Sequence, residues 1–160
     1  VFHWALNVPE LERIKSLSKM VESHNFEAKA LTEKSERYLN LLERFLEDSG
    51  KKVEFSDKGY VLVTLTKDRK RIPVASFSSG EAQIFVILTH LFFNPRAERN
   101  NVFIIDEPEL SLHVQWQELF VKSVIEANPN VQYIMATHSP SIILDKIDKC
   151  QDIISEIHRV

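Results

Sequence analysis

The sequence predicts an α/β protein with a mostly parallel sheet and flanking helices, preceded by a long helical arm and a β-hairpin. Two short and largely apolar runs, residues 102–105 and 131–135, each lead into polar residues and then into a helical pattern. Such runs between turn signals are typical of strands buried in a parallel sheet. Residues 10–49 lack proline and glycine and repeat apolar residues at alternating spacings of three and four, which is typical of a long helix.

Composition limits the classes of protein to which the chain can belong. Its 160 residues form one domain or a substantial part of a larger one, and the net charge of −3 gives no general attraction to nucleic acid or anionic membrane. The single cysteine, Cys150, excludes a disulfide framework and a thiolate metal cluster. No apolar run approaches the roughly 20 residues that span a bilayer. We therefore expect a cytoplasmic protein with no membrane partner, and the start at Val1 suggests part of a longer chain.

The first 75 residues predict an arm and a hairpin. Residues 1–50 are expected to form a helical arm or insertion, with Pro9 at the first helical position and Gly50 at the end. One helix, or two helices hinged near residues 24–25, would give the same pattern. Residues 51–75 contain two β-rich runs around a turn, which predicts a hairpin.

Residues 76–95 begin with serines and continue as a strongly apolar helix. Ser78 or Ser79 can cap this helix, with an acidic or amide side chain in its first turn. Gly80 lets backbone amides approach a ligand closely, and a helix N-terminus attracts anions. A well-capped helix explains this stretch when it is taken alone, whereas the acidic strand that follows favours an anion site.

Adjacent carboxylates, Asp106 and Glu107, follow the first apolar run. The chemistry of open α/β sheets gathers at the carboxyl ends of such strands. One carboxylate can hold a hydrated Mg²⁺ while the other acts as base for an attacking water. The second run ends at residues 136–138, so His138 can reach the same pocket and donate a hydrogen bond to phosphate; a structural histidine is the alternative.

These three stretches, in this order, resemble the ATP-binding cassette branch of the P-loop ATPases. The closest resemblance is to its soluble branch of DNA-repair and chromosome-maintenance ATPases, and within that to phage-defence ATPases and the overcoming-lysogenization-defect group. It covers residues 77–141. Ser79 and His113 stand where transporters commonly have glycine and aspartate, which moves the resemblance away from transporters.

The resemblance implies a role for each matching residue. Asp106 would organise Mg²⁺, Glu107 would be the catalytic glutamate, and His138 would sense the γ-phosphate. Phe103 to Asp106 resembles the Walker B strand, and residues 102–113 would hold both that motif and the D-loop. Six residues of the signature motif and D-loop would contact ATP or the opposite subunit: Ser78, Ser79, Gly80, Glu81, Ser111 and His113.

One motif of the resembling family is absent. The 160 residues contain three glycines and no Gly-x-x-x-x-Gly-Lys-Ser/Thr, the loop that cradles the phosphates. The resemblance therefore implies the C-terminal lobe of a head, residues 51–160, whose N-terminal lobe lies upstream. It also implies a homodimer of heads around ATP, a nuclease or DNA as further partners, and negligible hydrolysis by this chain alone.

Two other functions stay open. The chain can be a non-catalytic module for dimerisation or nucleic-acid binding, although the basic cluster at residues 67–71 is expected to be a charged, solvated turn rather than a nucleic-acid contact. It can also be a metal-dependent nuclease that uses Asp106, Glu107 and Glu109, because two-metal sites gather carboxylates.

Overall fold

The first of two compact units in the chain is a single stretch of helix. The computed structural model describes residues 2–95, 101–143 and 146–151, and the units divide between Arg37 and Tyr38. Helix α1, Phe2–Leu46, runs without a break through residues 24–25, so the arm is one helix. The helix start expected at Pro9 is wrong, because α1 begins at Phe2 and accommodates the proline within its length. Along this first unit Ile14, Leu17 and Leu31 are exposed.

The second unit begins with the last turns of α1. Here the apolar residues of the helix are buried, and Tyr38, Leu42 and Phe45 are each 1% exposed. A 3₁₀ turn, Glu47–Ser49, ends the helix at Gly50, whose φ of 63° lies in the left-handed region that glycine favours. The apolar residues of α1 named above are therefore exposed in the first unit and belong to the core in the second.

An antiparallel sheet follows Gly50, in the order β1-β2-β3. Strands β1, Lys51–Phe55, and β2, Val61–Leu65, pair as a hairpin. A short third strand, β3 at Arg71–Ile72, pairs with β2 through Val63 and Ile72. A 3₁₀ turn, Val74–Ser76, follows this strand.

Two strand-helix units complete the α/β fold. Helix α2 spans Ser79–Phe93, strand β4 Val102–Asp106 and helix α3 Val114–Ala127. Strand β5, Gln132–Ala136, pairs in parallel with β4 and precedes a short helix α4, Pro140–Ile143. A 3₁₀ turn, Ile147–Lys149, follows. The predicted fold class, with a parallel pair of strands among helices after an arm and a hairpin, is confirmed.

The β4–β5 pair is buried on one face only. On the inner face Phe103 contacts Tyr133, whose hydroxyl donates to the backbone carbonyl of Val124 on α3 at 2.7 Å. On the outer face Ile104 is 72% exposed and Ile134, directly opposite, is 47% exposed. The sequence predicts strands buried in a parallel sheet, whereas the helices that the structure describes cover only the inner side of this pair.

One apolar core holds the second unit together. Its members come from the end of α1, the antiparallel sheet, both long helices and β4, and they include Phe45, Val63, Leu88, Ile105 and Phe120. None of the described helices combines the length and the apolar character that crossing a bilayer requires.

Candidate functional site

The carboxyl ends of β4 and β5 meet at one edge of the parallel pair. Asp106, the last residue of β4, lies opposite Ala136, and the backbone amide of Glu107 donates to the carbonyl of Ala136 at 2.8 Å. The two acids and the segment with Thr137 and His138 therefore leave adjacent strands side by side. Asp106 and His138 are exposed, and Glu107 is half-buried.

Glu107 has a backbone conformation that is unusual for a residue with a side chain. Its φ of 45° lies in the left-handed region, and among the described residues only Arg69 is another non-glycine with positive φ. Such strained positions persist where the surroundings impose them, and they cluster at active sites and ligand clamps. The chain therefore turns out of the strand at the residue that the sequence singles out as a base.

The start of α2 contacts the loop that follows β4. The side-chain amide of Gln83 donates to the carbonyl of Pro108 at 3.0 Å. Gly80 faces the same loop, because a Cβ placed there would collide with the carbonyl oxygen of Ser111 and would lie 3.4 Å from Trp116. The serine-rich helix start and the acidic strand end are therefore packed together, and Gly80 is needed for that close approach.

Gly80→Ala is expected to destabilise the protein by about 1–3 kcal/mol, since added atoms in a tight contact force the backbone apart. The loss would appear as a lower melting temperature. Ser79→Ala, at the exposed neighbouring position, is the matched control and is expected to change the melting temperature little. Equal melting temperatures for the two variants would contradict the proposed contact with Ser111.

A complete capping box forms the beginning of α2. The Ser78 side chain accepts from the Glu81 amide at 3.3 Å, and the Ser78 amide donates to the Glu81 carboxylate at 2.6 Å. Of the two serines offered by the sequence, Ser78 is the cap. Ser79 is exposed in the first turn, where backbone amides have no acceptor within the helix.

The carboxylate of Glu81 is buried and paired. Its Oε2 lies 2.6 Å from the Lys51 ammonium on β1, and the whole residue is 2% exposed. Burial raises the pKa of Glu81, but hydrogen bonds from Lys51, the Ser78 amide and Ser49 outweigh it, so the pKa lies below its usual value. This carboxylate is engaged within the protein, and Ser79 and the backbone amides are what the helix start offers to an anion.

Glu109 connects the loop after β4 to the loop after β5. Its Oε1 accepts a hydrogen bond from the His138 backbone amide at 2.7 Å. Burial raises the pKa of Glu109, but the polar groups of Thr137, His138 and Ser139 lower it by more. The pKa therefore lies below its usual value, and the group is ionised at neutral pH. The carboxylate therefore fixes the backbone that carries His138.

A second connection runs through Gln117, a buried residue of α3. Its side-chain amide donates to the Leu112 carbonyl at 3.0 Å, and its Oε1 accepts from the Ser139 hydroxyl at 2.6 Å. Ser139 in turn accepts from the Ser141 amide at 3.2 Å. Gln117 therefore joins the residues just before α3 to the start of α4.

Three of these residues were missed as site components in the sequence. Glu109 was considered only as a third nuclease carboxylate, although an acid two residues after Glu107 was a visible signal. Gln117 is a polar residue at a buried helical position, which was a weak signal. Nothing local marks Lys51 as the partner of Glu81. Ser111 and His113 are exposed between β4 and α3.

The donor set at the strand ends fits Mg²⁺. Among the described residues, no three His, Cys, Asp or Glu side chains form a group that could hold a metal. Mg²⁺ usually takes one or two carboxylates and keeps several waters, so the exposed carboxylate of Asp106 suits it. The Glu109 carboxylate is held by the His138 loop instead, which argues against a cluster of three acids.

The chain shares sequence similarity with known proteins. The chain is 27% identical over 114 residues to the "Retron Vc95 probable ATPase" of Vibrio cholerae, an alignment covering 66% of this chain and 22% of that protein. It is 33% identical over 96 residues to "Endonuclease GajA" of Bacillus cereus, covering 48% and 14%. The chain thus spans less than a quarter of the length of these relatives.

A solved structure and a family match identify the fold and the family. The structure titled "Crystal structure of the SmcHead bound to the C-winged helix domain of ScpA" matches with a TM-score of 0.54 at 14% identity, over 78% of this chain and 40% of that chain. Residues 3–145 match the family described as "AAA domain, putative AbiEii toxin, Type IV TA system". The chain therefore belongs to this AAA-domain family.

Proposed function

We propose that this chain forms half of an ATP-hydrolysing head that requires Mg²⁺. The observation that carries the proposal is the meeting of Asp106 and Glu107 with the His138 segment at one edge of the parallel strands. The strained backbone of Glu107 supports it, as do relatives named as a probable ATPase.

Each residue at the strand ends has one proposed role. Asp106 would hold Mg²⁺, which supplies charge neutralisation at the phosphate oxygens when bound. Glu107 would accept the proton of the attacking water, and its left-handed backbone marks the point where the chain leaves the strand. His138 would donate a hydrogen bond to the terminal phosphate. The half-buried position of Glu107 favours such proton transfer, because less water competes for its carboxylate.

The start of α2 would bind the terminal phosphate of ATP held by a second head. Ser78, Ser79 and Gly80 place hydroxyls and backbone amides at a helix N-terminus, where anions are stabilised. Glu81 would act indirectly, since its carboxylate is paired with Lys51 and holds the cap. The exposed residues Ser111 and His113 would contact the opposite head.

A second lobe would complete the nucleotide site. The outer face of the β4–β5 pair exposes Val102, Ile104 and Ile134, an apolar strip suited to burial against further structure. The phosphate-cradling loop is not in these 160 residues. We therefore propose that an N-terminal lobe covers this strip and supplies the loop, and "complete protein" below means the chain together with that lobe.

The 160-residue chain alone is expected to release phosphate from ATP at the rate of a buffer blank, since it lacks the phosphate loop. The complete protein with Mg²⁺ is expected to turn over at about 1 s⁻¹ or faster, within the usual enzyme range. Phosphate release, with and without EDTA, measures both. Turnover by the chain alone that Glu107→Gln abolishes would contradict the need for a second lobe.

The process that the head serves is proposed from the relatives. A retron ATPase and an endonuclease among them favour a phage-defence role, with a nuclease and DNA as partners, over a role in DNA repair. Nucleotide-driven opening and closing of a dimer would pass the ATP signal to that partner.

A nuclease centre in this chain is the second candidate, favoured by the similarity to GajA. It would need Asp106, Glu107 and Glu109 around metal ions, whereas Glu109 accepts from the His138 amide. Mg²⁺-dependent cutting of DNA by the complete protein, lost in Asp106→Asn but unaffected by ATP, would favour this candidate over ATP hydrolysis.

A further inference from the structure

We propose that Glu109 is a positioning residue: its carboxylate holds the loop that carries His138 in register with the turn that carries Glu107. This inference rests on the proposed function, because it assigns His138 a place beside the reacting phosphate. Nothing in the motifs assigns a role to Glu109 in ATP hydrolysis. The hydrogen bond between the Glu109 carboxylate and the His138 amide is called the Glu109 clamp below.

The Glu109 clamp spans two segments that are distant in sequence. Oε1 of Glu109 lies 2.7 Å from the His138 amide, across 29 positions of the chain. Thr137 and Ser139 flank this bond, and their polar groups help to lower the pKa of the carboxylate. The backbone of His138 is therefore tied to the side chain of Glu109.

The loop that carries His138 is also held internally. The Thr137 hydroxyl accepts from the Ser139 amide at 3.0 Å. The Ser139 hydroxyl then donates to Gln117 at 2.6 Å, which fixes the far end of the loop to α3. Glu109 thus holds the side of the loop nearest Glu107, and Gln117 holds the side nearest α4.

Glu109 lies in the same turn as the proposed base, Glu107. Glu109 follows Glu107 by two residues, with the buried Pro108 between them, and the Leu110 amide donates back to the Glu107 carbonyl at 3.2 Å. The Glu107 amide is bonded to Ala136, just before Thr137. The two strand ends are therefore linked on both sides of the site. A displacement of the His138 loop by about 1 Å would misplace its side chain, and such shifts can lower a rate by roughly 100-fold.

Two substitutions at Glu109 distinguish the effect of side-chain length from the effect of charge. Glu109→Gln keeps the length of the side chain and an oxygen that can accept from the His138 amide, so kcat for ATP is expected to stay within about threefold of wild type. Glu109→Asp keeps the charge but withdraws the oxygen by one methylene, so kcat is expected to fall about 10- to 100-fold. The Kd for ATP is expected to change little in both. A role as metal ligand predicts the reverse order, because charge would matter more than reach.

The experiment measures ATP turnover, ATP affinity and hydrogen exchange in the complete protein. Glu118→Gln, an exposed acid on α3, is the control for a lost charge. Exchange at residues 137–139 is expected to be faster in Glu109→Asp than in wild type and unchanged in Glu109→Gln. Adding Glu109→Asp to His138→Ala is expected to lower kcat no further than His138→Ala alone, because Glu109 acts through His138.

The outcomes test the Glu109 clamp and the proposed function separately. Additive losses in the double variant, or wild-type exchange at residues 137–139 in Glu109→Asp, would overturn the clamp. If Glu107→Gln leaves ATP turnover intact, the proposed function fails, and the exchange measurement still tests the clamp by itself. If Glu109→Asp unfolds the protein, the Glu109→Gln variant decides: a large loss of kcat there would overturn the inference, and retained kcat would support it.

Discussion

Glu107→Gln in the complete protein is expected to lower kcat for ATP hydrolysis by about 10²- to 10⁴-fold, the usual contribution of a positioned general base. The substitution keeps the shape of the side chain but removes its ability to take a proton from water. Binding of ATP is expected to persist, since Asp106 and the helix start remain. The measurements are steady-state phosphate release and the Kd of a fluorescent ATP analogue.

Glu22→Gln is the matched control, because it neutralises an exposed glutamate on the arm, outside the second unit. It is expected to leave kcat unchanged. A Glu107→Gln variant as active as Glu22→Gln would show that the strand-end acids do not catalyse ATP hydrolysis. The non-catalytic module would then become the better description of the chain.

Lys51→Met is expected to destabilise the second unit by about 3–5 kcal/mol, the usual effect of removing one partner of a buried ion pair. Glu81 is 2% exposed and would keep a buried charge without its cation. Because the Glu81 carboxylate also caps α2, the first turn of that helix is expected to open. Native-state hydrogen exchange across α2 in the complete protein would report the loss of free energy locally.

The neighbouring lysine gives the control for Lys51→Met. Lys52 pairs with Glu54 at 2.9 Å, but both side chains are about half exposed, so Lys52→Met is expected to have little effect. Combining Lys51→Met with Glu81→Gln is expected to recover much of the loss, because the unpaired charge is gone. Equal exchange in Lys51→Met and Lys52→Met would contradict the structural role of the pair.

The Lys51–Glu81 pair also predicts how the stability of the folded protein changes with pH. The pKa of Glu81 is lower in the folded protein than its ordinary value of 4.5. Its stabilising effect is therefore fully present above about pH 4.5 and is lost as the pH falls through the lower folded pKa. Lys51→Met is expected to weaken this acid dependence, since the ammonium is the strongest cause of the lowered pKa.

Local patterns in the sequence predict the elements that carry the candidate site. The apolar run before Asp106 and the run before Thr137 are strands, because each has a strand's length and turn signals around it. The cap of α2 was also predictable, since Ser78 and Glu81 stand at capping-box spacing. The proposed roles of Asp106 and His138 remain predictions that their neighbouring positions support.

Contacts between distant segments could not be read from those patterns. The need for Gly80 comes from the Ser111 carbonyl, 31 positions later, and not from its own helix. The hydrogen bond from the His138 amide to the Glu109 carboxylate likewise depends on how two loops fold beside each other. A continuous apolar run does not show which face of its strand is exposed, so the exposure of Ile104 could not be predicted.

The most direct test of the central claim is a structure of the complete protein with Mg²⁺ and a non-hydrolysable ATP analogue. We expect Mg²⁺ at the Asp106 carboxylate and the terminal phosphate beside Glu107 and His138, with Ser79 of a second head on the other side of that phosphate. A nucleotide bound away from the carboxyl ends of β4 and β5 would contradict the account.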